Sequence, residues 1–65
     1  MKMYALVNLN DEYFCWITRK WFDSEGIRPE YLESNQKFVE DWAKKVKAYK
    51  IETYQVELSA NRYIG

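Results

Sequence analysis

Histidine is absent from this chain of 65 residues, and cysteine occurs once, as Cys15. Those gaps remove the imidazole and thiolate partners on which nucleophilic triads and most zinc ligand sets depend. A single thiol also excludes an intrachain disulfide, so a reducing, cytoplasmic setting is expected. Glycine appears only at Gly26 and Gly65, which leaves no glycine-rich loop to cradle a phosphate. Ten basic and ten acidic residues cancel, whereas nucleic acids and anionic membranes select a basic excess. No apolar run approaches the roughly 18 residues of a membrane span, and Met1-Lys2-Met3 leads into a strand-like alternation instead of a signal-peptide core.

What the chain does contain is large side chains. Hydrophobic residues make up 48% of it and aromatics 18%, with tryptophan at positions 16, 21 and 42. A domain this short buries only about 60% of the surface its unfolded chain exposes. Aromatics that bury roughly 150–250 Å² apiece can offset that handicap. One domain over residues 1–65 is expected. The rings outnumber the sites that a helix on a small sheet can shelter, so some are expected at the surface or in an oligomer contact.

Lys2 to Val7 and Glu12 to Thr18 read as strands, rich in aromatic and β-branched residues. Asn8-Leu9-Asn10-Asp11 between them supplies three turn formers and predicts a hairpin. From Arg19 to Ser34 the alternation fails. Gly26 punctuates the segment, Arg28 is pushed away from helical geometry by Pro29, and Pro29 can open a short helical turn. Trp21, Phe22, Ile27, Tyr31 and Leu32 are expected to pin this stretch against the sheet edge. Phe38, Val39, Trp42, Ala43, Val46 and Tyr49 recur at helical spacing and predict a helix from Asn35 to Tyr49, capped by Ser34 or Asn35. Glu40 with Lys44 and Asp41 with Lys45 stand four apart in the favourable order. Ile51 to Leu58 reads as a third strand, with Thr53, Gln55 and Glu57 on its wet side, and residues 59–65 as a flexible tail or one docked by Tyr63 and Ile64.

The expected fold is α+β: a β-β-α-β domain whose three-stranded, mainly antiparallel sheet carries one helix on one face. The first strand is expected in the middle, antiparallel to both others. A homodimer formed through the second face or an edge strand is a natural consequence of such a sheet.

Carboxylates are the remaining catalytic possibility, but they are expected at turns, on the helix surface and on the edge strand. So short a chain also has little room for a substrate-sized pocket of about 300 Å³ or more. The expectation is therefore a non-enzymatic protein with no cofactor and no metal site. The leading functional reading is a protein-binding module whose contact surface includes Trp16, Trp21, Phe22, Asp23, Glu25, Glu30 and Tyr31. It joins rings, favoured at binding hot spots, to an acidic loop. The alternative is a single-stranded nucleic-acid binder, with Tyr4, Phe14 and Trp16 as a stacking platform beside Lys44 and Lys47. A structural subunit of a larger assembly is the third reading.

Met3-Tyr4-Ala5-Leu6-Val7-Asn8, followed by Phe38-Val39-Glu40-Asp41-Trp42-Ala43 and a strand from Tyr49 to Leu58, resembles small accessory proteins of bacterial phages and prophages. The resemblance spans most of the chain in outline and carries no functional residue. It implies a small binding or inhibitory protein that acts on a host or phage protein.

Overall fold

A computed structural model describes residues 1–23 and 25–56. Strand β1 (Lys2–Val7) is followed by β2 (Tyr13–Cys15), β3 (Lys20–Phe22), a 3-10 turn (Pro29–Tyr31), helix α1 (Gln36–Lys45) and β4 (Lys50–Gln55). The sheet order is β3-β2-β1-β4, with every neighbouring pair antiparallel. The α+β class and the central first strand agree with the sequence. The strand count does not, because the sheet has four strands where three were expected.

The extra strand arises where Glu12 to Thr18 was expected to run straight. After Cys15 the chain turns back, with the Arg19 amide donating to the Cys15 carbonyl at 2.8 Å and Arg19 held at φ 62°. That left-handed residue costs about 1–2 kcal/mol without glycine. Ile17 and Thr18 favour a strand by composition, so the turn has no sequence signal. Trp21 and Phe22 then pair with Phe14 and Tyr13 along an edge strand. The first hairpin is better marked. Asn8 Oδ1 accepts from the amides of Asn10 and Glu12, each at 2.9 Å, which is the turn chemistry its side chain offers.

Helix α1 begins where Asn35 Oδ1 accepts from the Phe38 amide at 3.1 Å. It stops four residues before Tyr49. Lys47 takes φ 55°, and the Ala48 amide donates to the Ala43 carbonyl at 2.9 Å. This is a helix-ending motif that usually has glycine at the left-handed position. Its lysine here hides the stop. Glu40 accepts from Gln36, and the Lys45 ammonium lies 5.0 Å from the centre of the Trp42 ring. Within the described residues neither predicted acid–lysine pair closes to 4.0 Å.

β1 is paired along its whole length with β4, from Lys2 opposite Gln55 to Val7 opposite Lys50. On its other side it meets β2 only at Val7 and Tyr13. The chain returning from the 3-10 turn fills the opening between them. Tyr4 and Glu33 exchange backbone bonds of 2.8 and 2.9 Å, while the Trp16 amide donates to the Glu30 carbonyl at 3.0 Å. The Trp16 indole N–H adds a buried bond of 2.9 Å to the Tyr31 carbonyl. Backbone groups that β1 and β2 would otherwise leave unpaired are thereby satisfied.

The helix covers Tyr4, Leu6, Phe14 and Trp16, with Val39 fully buried among them and Phe38, Trp42, Ala43 and Val46 packed around. Ring centres lie 5.1 Å apart for Phe14 and Trp16 and 5.3 Å apart for Phe14 and Trp21, in edge-to-face contacts. On the opposite face Ala5, Val7 and Cys15 are also buried. Larger neighbours close that face. Tyr13 stacks on Tyr31 with centres 5.4 Å apart, and the phenols of Tyr13 and Tyr54 both donate to Glu52. Among the described aromatics only Phe22 and Tyr49 are exposed, so the core absorbs most of the expected ring surplus. Glu57 and Leu58 of the expected last strand, and the whole tail 59–65, lie outside the described residues.

Candidate functional site

A cavity of about 460 Å³ opens between the β2–β3 hairpin and the chain leading to the 3-10 turn. It is larger than the pocket of about 300 Å³ for which so short a chain was expected to have little room. Trp16 ties the chain down at Glu30 and Tyr31 through its amide and its indole N–H, and residues before and after that tie line the space. Phe22, Asp23, Glu25, Glu30 and Tyr31, five of the seven residues expected to contact a partner, line it together.

Trp16 and Trp21 do not. Trp16 is buried under the helix with 8% of its surface exposed, and half-buried Trp21 points to the same side against Phe14. The pairing of Trp21 with Phe14, and of Phe22 with Tyr13, separates the two neighbours. Adjacent strand residues face opposite ways, so Trp21 joins the core and Phe22 joins the cavity. Tyr31 contributes only an edge, because its ring is stacked on Tyr13 and 5% exposed.

Cys15, Thr18 and Arg28 complete the lining and were not singled out from the sequence for this surface. Cys15 falls there because residues 13, 15, 20 and 22 share the helix-free face. A hydrogen bond from the Thr18 side chain, and then one from its backbone amide, hold the Cys15 thiol below its ordinary range against the opposing effect of burial. Around the mouth stand three carboxylates and one guanidinium. Among the described residues, none of the side chains of Asp23, Glu25, Glu30 and Arg28 makes a hydrogen bond or an ion pair within 4.0 Å.

The other expected site lies elsewhere. Tyr4, Phe14 and Trp16 are all buried on the helix-covered face, which leaves no ring of that set free to stack on a base. Lys44 and Lys47 are exposed at the end of the helix. Among the described residues no helix is long and apolar enough to cross a membrane.

No protein-family model, curated protein or solved structure matches this chain.

Proposed function

We infer that the chain is a small, non-catalytic protein-binding module that engages its partner through the mouth of the cavity between the β2–β3 hairpin and the 3-10 turn. Occupying a surface of that partner would inhibit it, as befits an accessory protein of the phage type. The observation that carries this reading is the exposed Phe22 ring set among carboxylates that have no ion-pair partner within 4.0 Å among the described residues. An aromatic anchor within a polar rim is the arrangement from which binding hot spots are built.

The test is capture of a partner with the intact chain, followed by hydrogen exchange on the purified complex. Protection should centre on residues 20–23 and 25–31. Phe22→Ala removes a half-exposed side chain and leaves the buried core intact, so it should fold normally and weaken the complex by about 10-fold or more. A footprint on the helix or on β4, with Phe22→Ala binding at full strength, would refute the reading.

A further inference from the structure

We propose that the cavity receives an arginine side chain from a basic segment of the partner protein. The inference rests on the partner-binding reading above and specifies its chemistry. Charge gives the first reason. Asp23, Glu25 and Glu30 outnumber Arg28 three to one around the opening, although the whole chain has a net charge of zero. Negative charge is therefore gathered here and balanced elsewhere. None of the three carboxylates is engaged by the protein's own cations within 4.0 Å among the described residues, so an incoming cation displaces no internal ion pair.

Shape and chemistry give the second reason. Phe22 lines the cavity and is 40% exposed overall, while the Tyr31 ring is already stacked on Tyr13. An exposed ring beside carboxylates suits a flat cation, which can stack on the ring and donate paired hydrogen bonds at its rim. Arginine has that planar fork, and an ammonium does not. This molecule already sets arginine over aromatics elsewhere: the Arg19 guanidinium lies 4.6 Å from the centre of the Trp42 ring. A volume of about 460 Å³ admits one long side chain with its adjoining backbone. It lies near the lower end of small-ligand sites and is too small for a folded element.

Arg28 supplies a test that a purely structural account does not share. It repels the arriving guanidinium, so removing its charge should tighten binding, whereas removing an acid should loosen it. The experiment titrates the full chain with blocked Gly-Arg-Gly, and with the same peptide carrying citrulline, while following amide and aromatic NMR signals. Citrulline keeps the shape and loses the charge. Shifts should centre on Phe22, Asp23, Glu25 and Glu30, with the arginine peptide binding about 10-fold more tightly than its citrulline form. Raising the salt from about 0.02 to about 0.5 M should weaken it, because the pairs at the mouth are exposed to screening. The double variant Glu25→Gln, Glu30→Gln should bind about 10-fold more weakly and Arg28→Gln about 2-fold more tightly. Equal binding of the two peptides, shifts centred elsewhere, or no shifts at tens of millimolar peptide would overturn the proposal. If a captured partner still protects Phe22 while the arginine peptide fails, the chemistry is wrong and the binding surface stands. If the partner protects another face, the surface itself is wrong.

Discussion

Replacing Trp16 with phenylalanine would separate the two tasks of that residue. The six-membered ring can remain against Phe14, whose centre is 5.1 Å from that of Trp16, and against Phe38 at 5.6 Å. The indole N–H is lost, and with it the buried 2.9 Å bond to the Tyr31 carbonyl. Leaving that carbonyl unpaired costs about 1–3 kcal/mol. The smaller ring adds about 1 kcal/mol for the void it leaves. The total of about 2–4 kcal/mol is a large share of the roughly 3–10 kcal/mol expected for a domain of this length. Urea unfolding followed by circular dichroism would measure the loss, and amide hydrogen exchange would locate it. The amides of Trp16, Tyr31 and Leu32, which donate to the carbonyls of Glu30, Arg28 and Pro29, should accelerate well before those of the β1–β4 ladder. A loss below about 0.5 kcal/mol, or equal acceleration at both places, would show that the indole bond does not hold the cavity wall in place.

The remaining predictions concern the caps and the helix-free face. Asn35→Ala should destabilise the protein by about 1 kcal/mol in the same urea assay, because the Phe38 amide loses its acceptor. Lys47→Val should cost about 1 kcal/mol or more, whereas Lys47→Gly should be neutral or stabilising, since only glycine adopts φ 55° freely. Hydrogen bonding from Tyr54, then from Lys50 and Tyr13, holds the Glu52 carboxyl below its ordinary value despite the opposing effect of burial. A lowered acid stabilises the fold above its unfolded pKa and loses that contribution as pH falls, so stability should decline below about pH 4.3. Burial, followed by the bond to Glu52, raises the Tyr54 phenol, and the matching loss should appear as pH rises above about 10. Tyr54→Phe should flatten both limbs of the urea-midpoint profile, and an unchanged profile would show that the pair does not govern them.

Composition located β1 and the helix start because local preference and burial coincide there: Lys2–Val7 is rich in strand formers and buried on both faces from Tyr4 to Val7, and Asn35 caps as its side chain allows. It failed where the chain turns without turn residues. Arg19 and Lys47 both adopt left-handed backbone in place of glycine, which hid β3 and placed the helix end four residues too late. The cavity was hidden for a different reason. Its acids and Phe22 were visible as a cluster, but Cys15 and Thr18 reach it only through the unforeseen hairpin. Which of two adjacent rings faces the core depends on register, and the register of β3 was not readable without that turn. The ring surplus was likewise overstated. A count of aromatics does not reveal that Tyr13, Tyr31 and Tyr54 cover the second face of the sheet with stacking and hydrogen bonds.

The narrow seam between β1 and β2 has a mechanical consequence. Two leaves, β3 with β2 and β1 with β4, share a single register pair at Val7 and Tyr13, and the splint at residues 30–33 bridges them below it. Helix α1 lies across both leaves, on Tyr4 and Leu6 of one and on Phe14 and Trp16 of the other, so helix and splint together clamp what so narrow a seam leaves loosely joined.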